Sequence, residues 1–193
     1  INSLALKVYR DYCRKINRPM RELIQDDDRR RLLSEIFKQH NGEYAAENDI
    51  LELSSAITYI KNMMLTDEQI SEIESEYPHL SAMYQSYQNA LKEKYQMDFD
   101  DQMVFALWIL QKDEEITSAL RMRYKYICVD EAQDTSKIQH EIIKIIAQGN
   151  NLFMVGDEDQ SIYGFRAAYP KALLNFRYDY LNPYILRMER NYR

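Results

Sequence analysis

The sequence predicts an α/β protein in which a mainly helical front part precedes a back part built on a parallel sheet. Three observations carry this. "YICV" (126–129) and "LFMV" (152–155) are apolar runs of strand length. Between them Ile138, Ile142, Ile145 and Ile146 fall at helical spacing. Strand, helix and strand within about 30 residues is a βαβ unit, whose strands run parallel. Ahead of it, residues 1–95 hold one glycine, Gly42, and keep apolar residues at three- and four-residue intervals.

Taken in order, "DDDRRR" (26–31) predicts a helix start with acids in its first turn and a solvated face after it. "LTDEQI" (65–70) sets Thr66 three residues before Gln69, a capping pair. Pro78 opens a helix whose buried face is Leu80, Met83, Tyr84, Tyr87, Leu91 and Tyr95. In "MDFDDQMVFALWIL" (97–110), Phe99, Met103, Ala106 and Leu110 share one face while Val104, Leu107 and Trp108 fill another. That pattern predicts a helix buried on most sides. Gly149 stops the isoleucine helix, and "PYIL" (183–186) is a candidate further strand.

At 193 residues and 46% hydrophobic content, the chain can hold one ordinary core, or a smaller core with an appended subdomain. It has no apolar run of membrane-spanning length and no secretory leader pattern, so a soluble cytoplasmic protein is expected. Cys13 and Cys128 lack metal-type spacing and suggest no disulfide framework. His40, His79 and His140 are scattered, which gives no support to a zinc site or a histidine triad. The net charge of −6 is uneven: residues 1–120 carry 14 basic and 22 acidic groups, residues 121–193 carry 11 and 9. A phosphate-binding surface in the back part is therefore compatible with the acidic total.

Both predicted strands end in acids. Asp130 and Glu131 follow the first, and Gly156 and Asp157 follow the second. Ligands of open parallel sheets sit outside the carboxyl ends of the strands, and a magnesium nucleotide suits carboxylates placed there. Taken alone, one such strand-Asp-Glu is weak evidence, and a capped helix start after the strand is its alternative reading. In "VGDEDQSIYGFRAA" (155–168), Tyr163 and Phe165 are two residues apart beside Arg166. In an extended segment they face the same way and suit stacking of single-stranded bases. By residue type alone, both rings in a core beside a surface Arg166 is the favoured reading.

"VDEAQDTSKIQ", "VGDEDQSIYGFRAA" and the terminal "ERNYR" resemble, in order, three motifs of the UvrD/Rep family of superfamily 1 DNA helicases. "NSLAL" (2–6) and "MDFDD" (97–101) resemble, more loosely, segments flanking that family's helical insertion. The resemblance implies a partial RecA-like P-loop NTPase core over residues 96–193 and an inserted helical 1B-like subdomain over 1–95. It implies ATP and Mg²⁺ as cofactors, with single-stranded DNA, single-strand/duplex junctions and the remaining domains of a parent helicase as partners, and a setting such as DNA repair. By the same resemblance Asp130 holds Mg²⁺, and Glu131 shares the metal and activates the attacking water. Gln133, Asp134 and Asp157 tie the site to its neighbours. Gln160 senses the γ-phosphate, and Tyr163, Phe165 and Arg166 meet DNA. Tyr192 stacks on adenine, and Arg193 reaches the γ-phosphate. Asn2 stands where the family commonly has histidine, and "FRAA" lacks the glycine more usual after the arginine.

None of the four glycines, Gly42, Gly149, Gly156 and Gly164, begins a G-x-x-x-x-G-K-[ST] loop. The expectation is an internal piece of an ATP-dependent helicase and translocase that does not hydrolyse ATP alone. Two other classes remain open: a non-catalytic module binding single-stranded DNA or a protein partner, and a stand-alone metal phosphohydrolase or nuclease using Asp130, Glu131, Asp134 and Asp157.

Overall fold

The computed structural model describes residues 1–157, 169, 175–180 and 182–187. Helix α1 (Asn2–Lys15) buries Ala5, Val8, Tyr9 and Cys13 along one side. These residues join an apolar cluster with α6 (Phe99–Lys112), α7 (Glu114–Arg123) and α8 (Lys137–Ala147). A second cluster unites α2 (Asp26–Asn41), α3 (Glu47–Met63), α4 (Asp67–Ile73) and α5 (Leu80–Glu93). Leu33, Leu53, Ile57, Leu80, Met83 and Tyr87 are its most enclosed side chains.

The two ends of this helical unit meet. β1 (Glu22–Leu23) and β2 (Gln96–Met97) form a short parallel pair, so the chain enters and leaves side by side. The Arg21 guanidinium lies 5.4 Å from the centroids of both Tyr95 and Phe105. This stacking joins the entry segment to the exit segment and to α6.

Local chemistry fixes the helix ends. Thr66 accepts the Gln69 N–H while Gln69 returns a bond to the Thr66 N–H, the expected reciprocal cap. Asp26, Asp27 and Asp28 occupy the first turn of α2, where the helix dipole favours negative charge. Gly42 ends that helix at φ 78°, a left-handed conformation that glycine adopts without steric cost.

The joint between the two clusters is ionic. On α3, Thr58, Lys61 and Asn62 share a face, and each meets a carboxylate in the first turn of α6. Lys61 Nζ lies 2.7 Å from Asp98 Oδ2 and 2.6 Å from Asp101 Oδ1. Thr58 and Asn62 donate to Asp100. Asp98 and Asp101 also cap α6 reciprocally, each accepting the other's N–H. The Tyr87 hydroxyl donates to Asp98 and accepts from Arg29. Lys61 is 3% exposed. Burial alone would lower Lys61, but Asp98 and Asp101 hold it above its ordinary pKa. Burial would likewise raise Asp98, and Lys61 holds it below the ordinary carboxylate value. Asp101 is raised, by burial first, because one ammonium serves two carboxylates.

The sheet is the predicted parallel βαβ unit. β3 (Tyr126–Val129) pairs with β4 (Asn151–Met154) in the register Tyr126 to Asn151 through Val129 to Met154. Ile127, Val129, Leu152 and Met154 are half-buried, whereas Tyr126, Cys128, Asn151 and Phe153 are exposed. α8 is amphipathic: Ile138, Ile142 and Ile146 enter the cluster shared with α1 and α6.

Four expectations are corrected. Phe99 is 63% and Trp108 48% exposed, and Val104 also faces out, so α6 is covered on one broad side rather than most sides. Its inner face is Met103, Ala106, Leu107, Ile109 and Leu110. Tyr95 lies beyond α5 at φ 54° and bonds the Pro19 carbonyl, so it leaves the helical face. The second strand spans Asn151–Met154, one residue earlier than expected, because Val155 is already at its exit. "PYIL" is not a strand: residues 183–186 pair with none of the described strands, and Tyr184 and Leu186 stand exposed. A short apolar run becomes a strand only where a neighbour satisfies its backbone groups.

Candidate nucleotide site

The site is built from the carboxyl ends of β3 and β4. Because the strands are parallel and adjacent, both chains leave the sheet at the same edge. Two backbone bonds continue the pairing past the strands. The Val155 N–H donates to the Val129 carbonyl at 2.8 Å, and the Ala132 N–H donates to the Val155 carbonyl at 2.9 Å. Asp130 and Glu131 therefore sit beside Gly156 and Asp157, as the strand-end argument requires.

Asp130 is exposed, and its Oδ1 accepts the Glu131 N–H at 3.0 Å. Glu131 adopts φ 48° and ψ 46°, the left-handed region that glutamate rarely occupies. Strain of this kind persists only where the surroundings impose it. Here the chain must turn from β3 into the 3₁₀ turn Ala132–Asp134, whose Ala132 and Gln133 are buried. Gln133 occupies the space between the strand ends. Its Nε2 donates to Glu131 Oε2 at 2.6 Å, and its Oε1 accepts the Asp157 N–H at 3.0 Å. Asp134 is exposed on the turn.

The turn feeds α8. Gln139 accepts the Ser136 N–H, closing the first turn of that helix. Thr135 Oγ1 pairs with His140 Nε2 and donates to the Ala132 carbonyl, and the Thr135 carbonyl accepts the Tyr169 N–H. A cavity of about 100 Å³ lies alongside, bordered by Lys137, His140, Lys144, Met154, Tyr169 and Asp179. Burial pushes the His140 imidazole below its usual value, against the opposing pull of the Ala132 carbonyl and the Asp179 carboxylate. A depressed histidine stabilises the fold fully above the unfolded pKa of about 6.5 and loses that contribution as pH falls toward the folded value. Urea midpoints at pH 7.5 and 5.5 should therefore converge in His140→Gln relative to the parent chain. An unchanged midpoint difference would exclude His140 as its source.

Asp130 and Glu131 fit a Mg²⁺ nucleotide, since that ion binds one or two carboxylates together with waters and phosphate oxygens. Among the described residues, Asp130, Glu131, Asp134 and Asp157 do not gather into a group of three or more that could share one ion. Gln160, Tyr163, Phe165, Arg166, Tyr192 and Arg193 lie outside the described residues. Sequence reasoning missed the joint at Lys61. The signal available was a lysine four residues after the buried Ile57, on the same side of α3.

A parallel strand pair with a helix packed against it is an α/β arrangement, in which ligands bind outside the carboxyl ends of the strands. The chain belongs to the UvrD/REP helicase family: residues 1–181 match the family described as UvrD/REP helicase N-terminal domain. It is 34% identical over 177 residues to the ATP-dependent DNA helicase Rep of Buchnera aphidicola, covering 89% of this chain and 27% of the relative. It is 33% identical over 178 residues to the probable DNA helicase II homolog of Mycoplasma capricolum, covering 89% and 24%. To the ATP-dependent DNA helicase PcrA of Leuconostoc citreum it is 38% identical over 115 residues, 59% of this chain and 15% of the relative. The chain thus spans about a quarter of the length of the relatives it matches along most of its own. Among the described residues no helix is long and apolar enough to cross a membrane.

Proposed function

We propose that this chain forms part of the motor of an ATP-dependent DNA helicase, with residues 96–193 contributing to a RecA-like core and the helical unit acting as a 1B-like subdomain. The observation that carries the reading is the convergence of Asp130, Glu131 and the Asp157 backbone at one sheet edge, bridged by Gln133, in a chain of this family. Asp130 and Glu131 hold Mg²⁺ with the nucleotide. Bound Mg²⁺ neutralises charge on the transferring phosphoryl group. Glu131 accepts a proton from the attacking water, work that a carboxylate near the γ-phosphate can do. Asp134 and Asp157 connect this edge to its neighbours. Gln160 and Arg193 serve the γ-phosphate, Tyr192 stacks on adenine, and Tyr163, Phe165 and Arg166 take up single-stranded DNA. Repair work in the cytoplasm fits this assignment.

Phosphate-cradling amides and the lysine of a G-x-x-x-x-G-K-[ST] loop do not occur in the 193 residues, so hydrolysis requires more than this chain. Steady-state ATPase assays test the reading directly. The full-length protein should show turnover stimulated by single-stranded DNA, and the 193-residue chain should stay at background. Robust turnover by the short chain would overturn the division of labour. Cleavage of DNA with metal and without nucleotide would instead favour a phosphohydrolase.

A further inference from the structure

Glu131 projects from an exposed position, and an exposed glutamate side chain has three freely rotating bonds. A base that must meet one water cannot be left to that freedom. The structure supplies a restraint in Gln133, which is 2% exposed and uses both ends of its carboxamide. Nε2 donates to Glu131 Oε2, and Oε1 accepts from the Asp157 N–H. Turning the amide over would set its oxygen against the carboxylate and its NH₂ against a backbone N–H. Only one orientation satisfies both contacts. Because the amide is buried, losing either contact leaves a polar group unsatisfied, which is costly.

We propose that Gln133 is a positioning residue for the hydrolytic reaction, holding the Glu131 carboxylate by one oxygen and tying its orientation to the backbone where the chain leaves β4. The inference rests on the reading of Glu131 as the general base. The bond at Oε2 leaves Oε1 to meet the attacking water. The Ala132 to Val155 backbone bond braces the same turn, so a displacement of the β4 exit reaches Glu131 through two routes, one of them the Gln133 amide.

Two variants in the full-length protein test this. Gln133→Leu keeps most of the volume and removes both bonds. ATPase kcat should fall by about 10–100-fold, the range seen when groups orienting a reacting ligand are removed, with KM for ATP within about twofold. Gln133→Leu in a Glu131→Gln background adds a signature that a merely structural role would not give. Because Gln133 acts only through the Glu131 carboxylate, its replacement should cost no further kcat there. Gln133→Leu with kcat within twofold of the parent, or an equally large further loss in the Glu131→Gln background, overturns the role of Gln133 alone. Absence of turnover in the parent enzyme overturns the reading of Glu131 together with it.

Discussion

Lys61→Ala should lower the unfolding free energy of the 193-residue chain by about 3–5 kcal/mol, the cost typical of breaking a buried ion pair from one side. Lys61 Nζ is the only cation within hydrogen-bond distance of Asp98 and Asp101 among the described residues. Its removal leaves two enclosed carboxylates facing each other. Urea denaturation of a triple variant separates this from simple loss of packing. Lys61→Met combined with Asp98→Asn and Asp101→Asn should regain most of the loss, since neutral side chains need no counter-ion. If Lys61→Met alone is as stable as the parent, the ionic joint contributes nothing.

The joint also fixes a pH dependence. Asp98 is depressed in the fold, so its contribution is present above the unfolded value of about 3.9 and disappears as pH falls through the folded one. Lys61 is raised, so its contribution is present below about 10.4 and is lost as pH rises through its folded value. Asp101, being raised, acts in the opposite sense on the acid side: it favours the fold at low pH and less so as pH climbs through its folded value. The acid limb of the stability curve should accordingly be shallower than Asp98 alone would give, and Asp101→Asn should steepen it.

The second large effect concerns chemistry. In the full-length protein, Glu131→Gln should reduce ATPase kcat by about 10²–10⁴-fold, the usual contribution of a positioned general base. That corresponds to about 3–5 kcal/mol in the barrier. Glutamine keeps the volume and can still pair with the Gln133 amide, so nucleotide affinity measured with a fluorescent ATP analogue should stay within a few-fold. Asp130→Asn should act differently, raising the Mg²⁺ concentration needed for half-maximal activity as well as lowering the rate. Equal loss of binding and turnover in Glu131→Gln would assign that residue to nucleotide binding and remove it from the chemical step.

The βαβ unit was legible because "YICV" and the following run are short, apolar and separated by isoleucines at helical spacing, and because parallel strands need such a crossover. Asp130 and Asp157 could be placed at one edge for the same reason: adjacent parallel strands end together. The Thr66 cap was legible because its two partners are three residues apart. By contrast, Phe99 and Trp108 look like core residues by type alone and are exposed. Residue type states what a side chain favours in isolation, while exposure depends on which neighbours arrive.

Lys61 shows the same limit from the other direction. Its spacing from Ile57 places it on a buried side of α3, but nothing local names its partners, which are 37 and 40 residues away. Likewise the sequence placed Gln133 in a motif without revealing that its amide is buried between Glu131 and the Asp157 backbone.

What the chain settles by itself is therefore what depends on short-range order: helix spans, caps, the parallel crossover and the acids at its edge. Only the tertiary structure decided that α1 packs with α6 and α8 while α2 to α5 form a separate cluster, and that the buried Lys61 ammonium, with Thr58 and Asn62 beside it, links the two. Such pairings follow from apolar faces and opposite charges meeting across long stretches of chain, and the free energy of that meeting is a property of the packed whole.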